Sequence, residues 1–142
     1  PDIRANFEAY VLRNGPHAVS EQDFVAARDV HLPALRQTLR DYFAGQNVAA
    51  MVFPAAQIPA PPIGQDTEVE LNGRTVLLET VISRNISPGS TAGLPGLVVP
   101  VGLTAGNLPI ALEFDSPAGS DRNLLSLGRA VERLFGQLPV PP

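Results

Sequence analysis

Side chains suited to nucleophilic or acid–base chemistry are few in this chain. Ser87, Ser90 and Thr91 fall in a stretch of small residues, glycine and proline. A serine or threonine hydroxyl becomes a nucleophile only when a neighbouring base takes its proton. The histidines, His17 and His31, are both far away along the chain, and there is no lysine. The surrounding residue types therefore predict turn and cap chemistry at these hydroxyls rather than attack. Glu113 and Asp115 alternate with Leu112 and Phe114. On a strand, that spacing places both carboxylates on one face, an arrangement usable for proton transfer. The expected reading is the solvent side of a strand, or an ion pair with Arg122.

The remaining candidates are weaker. His17 follows Gly15 and Pro16 and reads as an exposed loop residue, and His31 reads as a packing or solvent-facing position in a helix. Without a nearby acid cluster the two make a poor metal site, so none is expected. Asp66, Glu68 and Glu70 read as an acidic, solvated hairpin face. Gly89, Gly93 and Gly96 have neither the lysine of a phosphate-binding loop nor dinucleotide-binding spacing, so packing and turns are their predicted role and no cofactor is expected.

Absences narrow the classes further. All ten basic residues are arginine, so a lysine base or Schiff base has no place in these 142 residues. There is no cysteine, which removes disulfides, thiolate nucleophiles and cysteine-ligated zinc, and which suits a reducing cytoplasm, the expected location. Net charge is −4 with no basic patch, which argues against a nucleic-acid partner. Every apolar run is broken by proline or glycine well short of the ~20 residues of a membrane-spanning helix, so no membrane partner is expected.

The elements that must position these residues can be read in order. Asp2 is placed to cap a short helix through Arg13, ended by Asn14, Gly15 and Pro16. Ser20 with Asp23 makes a capping pair. Phe24, Val25, Ala27, Leu32, Leu35, Leu39 and Phe43 then recur at helical spacing, with Pro33 expected to kink or split the helix and Gly45 to close it. Ala49–Phe53 reads as a buried strand, and the prolines at 54, 59, 61 and 62 as a stiff extended segment. Two β runs flank Asn72 and Gly73, a strong hairpin signal. Ser83–Gly93 reads as a loop. Two strands follow, from Leu97 to Val101 and from Leu108 to Phe114. A helix then opens at Asp121 with Leu124, Leu125, Leu127, Leu134 and Phe135 as its apolar face, and residues 138–142 form an extended tail.

This is an α/β order with incomplete layers: so few strands and helices leave sheet edges open. Together with Pro1 in place of a methionine, that leads us to expect residues 1–142 to be part of a larger domain.

One stretch is more specific. Gly93, Leu94 and Pro95 follow the small-residue segment; a strand ends at Val99, Pro100, Val101 and Gly102. A second strand opens with Leu108 and Pro109 and runs through Ile110, Ala111, Leu112 and Glu113, and a late helix carries Asp121, Leu124, Leu125 and Glu132. Upstream lie Val52, Phe53 and Pro54, and before them a long helix with Arg28, Leu35 and Phe43. In this order, over about residues 20–137, the chain resembles the C-terminal part of the amidase-signature hydrolases. Arg84, Asn85 and the Asn-Gly hairpin are similar to the branch holding indoleacetamide and mandelamide hydrolases.

The resemblance implies the C-terminal portion of that family's mixed-sheet fold, with helices packed on the sheet. It implies hydrolysis of a small carboxamide, aryl-substituted in the sense of that branch, to carboxylate and ammonia. The family's Ser–cis-Ser–Lys triad and its Gly-Gly-Ser-Ser-Gly loop lie upstream and are not in this sequence. No catalytic residue is therefore assigned here, and the chain alone is expected to be inactive. Arg84, Asn85, Ser87, Ser90 and Thr91 are the expected substrate-binding residues. The implied partners are the N-terminal amidase portion, on the same or a separate polypeptide, and a small amide substrate; a homodimer is left open. The rival reading is a non-catalytic binding or scaffold module with the same fold.

Overall fold

A computed structural model describes residues 18–136. The helix expected from Asp2, His17 and the tail from 138 to 142 lie outside the described residues. The chain divides into two compact units at Gln37/Thr38.

In the first unit Ser20 caps helix α1 (Glu21–Ala26): its Oγ accepts from Asp23 N at 3.0 Å and donates to the Asp23 carboxylate at 2.6 Å. Pro33 does not split the helix. Lacking an N–H, it leaves Asp29 O without its usual donor, and the chain absorbs this with a π-helical segment (Ala27–His31), in which Leu32 N bonds Ala27 O. Helix α2 (Leu32–Gln46) continues from there. Its expected stop at Gly45 is wrong: Gly45 stays helical, and Asn47, at φ 51°, takes the left-handed position after the last turn.

The second unit is built on an antiparallel sheet in the order β1 (Met51–Pro54), β5 (Pro109–Asp115), β4 (Gly96–Leu103). Pro54 is tolerated because β1 is an edge strand. Helix α5 (Asp121–Phe135) packs on β4, and Val99, Phe114, Leu124 and Val131 form the buried apolar core between helix and sheet. Gly128 lets the helix sit close, since a Cβ there would overlap the Leu97 side chain. The expected apolar face of α5 is only partly right. Leu125 points off it, 60% exposed, and Leu134 and Phe135 lie in the last turn, past Val131, exposed as well.

Strands β2 (Glu68–Leu71) and β3 (Arg74–Leu77) form a separate hairpin. Asn72 and Gly73 turn it with φ of 52° and 74°, the positive pair a type I′ turn requires. Asp66, Glu68 and Glu70 are exposed, as expected, and Thr75 Oγ1 donates to the Glu70 carboxylate. Helix α3 (Leu78–Ser83) follows β3, and the segment expected to be a loop, Ser83–Gly93, instead holds a second short helix, α4 (Ser87–Ala92). Its small residues pack against the sheet, which supplies the order that local propensity does not.

Candidate functional site

The corner between α3 and α4 gathers the predicted substrate-binding residues. Ser83 Oγ turns back to Glu79 O at 2.6 Å, ending α3. Pro88 sits in the first turn of α4, where a missing N–H costs nothing. The other end closes on Gly93, at φ 78°, with Gly93 N bonded to Ser90 O and Leu94 N to Gly89 O. This paired motif satisfies the last carbonyls and fixes the helix end.

Between these ends α4 has two faces. Gly89 and Ala92 are buried, while Ser87, Ser90 and Thr91 lie on the opposite, exposed side. None of the three hydroxyls has a hydrogen-bond partner among the described residues. Arg84 is exposed at the corner, and Asn85 is half-buried, its Nδ2 donating to Pro54 O at 2.9 Å. The structure thus brings three of the five predicted residues onto one surface, holds Arg84 beside them in sequence, and ties Asn85 toward β1. The second unit holds no histidine or lysine among its described residues to act as a base for these hydroxyls; His31, exposed in the π-helical segment, belongs to the first unit.

The buried face of α4 rests on two residues that sequence reasoning places in solvent. Glu113 and Asp115 are only 8% and 3% exposed. Neither pairs with Arg122, and neither has an ion pair or hydrogen bond to its carboxylate among the described residues. A Cβ on Gly89 would overlap Asp115 Oδ2, and one on Gly96 would lie 3.0 Å from Asp115 Oδ1 and 3.2 Å from Glu113 Oε1. Burial pushes both carboxyls above the usual carboxylate range, and the neighbouring Asp115 charge pushes Glu113 further. Alternation in the sequence shows that the two share a face; Gly89 of α4 lies against its Asp115 end. Next to them Ser116, 1% exposed, donates its Oγ to Ala49 O at 2.9 Å and fastens the end of β5.

A second feature escapes the sequence reading. The proline-rich segment after β1 folds over the sheet end and encloses an apolar cleft of about 480 Å³, lined by Pro54, Ile58, Pro61, Ile82, Val101 and Ile110 among others. None of the five predicted residues lines it, although Asn85 holds its rim through Pro54 O. The run of prolines is the available signal. Among the described residues no group of three or more His, Asp or Glu is placed to hold a metal, and no helix is long and apolar enough to cross a membrane.

A three-stranded sheet carries α5 on one side and a short hydroxyl-bearing helix on the other. The chain belongs to the amidase family, whose model, described as Amidase, matches residues 7–125. It is 43% identical over 117 residues to an indoleacetamide hydrolase of Agrobacterium vitis, a match that covers 82% of this chain and 25% of that protein. A mandelamide hydrolase of Pseudomonas putida is 29% identical over 150 residues, covering 99% of this chain and 28% of that protein. The structure of 6-aminohexanoate cyclic dimer hydrolase superposes with a TM-score of 0.72 at 18% identity, over 84% of this chain and 26% of that one, which supports the fold. The chain spans about a quarter of the length of these relatives.

Proposed function

We propose that this chain is the C-terminal portion of an amidase that hydrolyses a small, aryl-substituted primary carboxamide to carboxylate and ammonia. In this reading it supplies scaffold and one wall of the substrate pocket. The observation that carries the pocket assignment is the outward face of α4: three exposed hydroxyls without partners among the described residues, on a helix whose other face meets the sheet at Gly89. Hydroxyls so placed can donate to an amide oxygen and accept from its nitrogen. Arg84 and Asn85 extend that polar wall at the corner. The aryl preference is supported by the relatives named for indoleacetamide and mandelamide, both of which carry an aromatic ring.

The chemical step belongs to the rest of the longer protein. The resemblance implies a serine that attacks the amide carbonyl, backbone N–H groups that hold the oxyanion, and a lysine that hands a proton to the departing ammonia. Water then releases the carboxylate. With no lysine present, these residues alone do not complete that set, and a cysteine-free chain fits our placement of the enzyme in the cytoplasm. The test is direct. The full-length protein is expected to turn over indole-3-acetamide and mandelamide far better than acetamide, and the 142-residue chain none of them. Turnover by the chain alone, or a full-length protein inert toward all three amides, would contradict the reading.

A further inference from the structure

The mechanism above makes no use of Glu113 and Asp115, yet they occupy the layer directly beneath the proposed substrate face. We propose that the Glu113–Asp115 pair is a positioning device for α4: Asp115 bears on the α4 backbone at Gly89, and the pair keeps one proton while α4 is seated on the sheet. The proposal rests on the reading of α4 as a wall of the substrate pocket.

The geometry is specific. Residues i and i+2 of β5 share a face, and both carboxylates converge near the Cα of Gly96. Asp115 Oδ2 lies so close to Gly89 that only glycine fits. The backbone of α4 therefore rests on that oxygen. The charged and titratable groups around the pair can be named from each element. The cross-strand neighbours are Met51 and Phe53 on β1 and Gly96 and Val98 on β4. The buried residues of α4 are Gly89 and Ala92. None of these ionises, so among the described residues each carboxylate is the other's charged neighbour. Two anions on one face of a strand repel under partial burial, and loss of the last proton is opposed until the layer opens. The element bearing on Asp115 Oδ2 is α4, only six residues long. A shift of that helix moves Ser87, Ser90 and Thr91 together and weakens substrate binding, while the reacting groups elsewhere are untouched.

The experiment is steady-state kinetics of the full-length enzyme with indole-3-acetamide across roughly pH 5 to 9, a range that brackets a raised carboxyl pKa. Wild-type KM is expected to rise about tenfold through one ionisation as pH increases, with little change in kcat from this source. Asp115→Asn, neutral throughout, is expected to hold KM near its low-pH value across the range. Gly89→Ala is expected to raise KM about tenfold, and Gly89→Ala with Asp115→Ala to return most of that loss, because the second change removes the oxygen that the new methyl strikes. An Asp115→Asn profile that still follows wild type, or a double variant whose losses simply add, overturns the proposal.

If the full-length protein hydrolyses no amide, the function proposed above fails by itself, and the pair is read through melting temperature against pH. Wild type is then expected to lose more stability with rising pH than Asp115→Asn, in which Glu113 alone still titrates. Identical curves for the two would remove the retained proton and the proposal with it.

Discussion

The two faces of the β1–β5–β4 sheet are covered in opposite ways by residues of the same strand. Toward α5, β5 presents Leu112 and Phe114, which join Val99, Leu124 and Val131 in a dry apolar layer. Toward α4 it presents Glu113 and Asp115, buried to a similar degree with no cation beside them among the described residues. The first layer is what holds a small sheet together, because removing apolar area from water is the main favourable term in folding. The second gives no such gain, and its burial disfavours the charged form of both carboxyls.

Substitutions on the two faces should therefore separate stability from function. The largest effect belongs to the α5 face: Phe114→Ala is expected to lower unfolding free energy by about 3–5 kcal/mol, read by urea denaturation, because the cavity left among Val99, Leu124 and Val131 cannot collapse fully. If the loss is below about 1 kcal/mol, the dry layer is not the core. On the α4 face the expected effect is a pH dependence. Both carboxyls have native pKa values above their unfolded ones. Their contribution is thus fully present below the unfolded values and is lost as pH rises through the raised native values. Each pH unit that separates the native from the unfolded value is worth about 1.4 kcal/mol. Melting temperature should fall over that window in wild type and stay flatter in the Glu113→Gln, Asp115→Asn double variant.

Smaller still, Ser90→Ala with Thr91→Ala should change stability by no more than about 0.5 kcal/mol, since both side chains are exposed and without partners. In the full-length enzyme the same pair should raise KM for indole-3-acetamide by about fivefold, the loss of one or two neutral hydrogen bonds. Unchanged kinetics would take these hydroxyls out of the pocket. As a control in the first unit, Ser20→Ala should cost about 1 kcal/mol of local stability through its lost cap, seen as faster amide exchange in the first turn of α1.

What the sequence determined by itself is what nearest neighbours dictate. Ser20 with Asp23 set a helix start, Asn72-Gly73 a hairpin turn, and Pro33 a disturbance in a helix; each acts within a few residues and needs no tertiary partner. The order of small motifs from Gly93 to Glu132 was also legible, and it carried the family. The tertiary structure decided the rest. Period-two alternation shows which residues share a face of β5 but not whether that face meets water, so Glu113 and Asp115 read as solvent-facing although both are buried, Asp115 against Gly89 of α4. The small residues of 87–92 have too little propensity to announce a helix, and tertiary burial of Gly89, against Asp115, and of Ala92 makes one. Leu125, Leu134 and Phe135 read as core from composition, yet α5 meets β4 along Leu124, Gly128 and Val131, and a helix buries only the stripe its partner reaches.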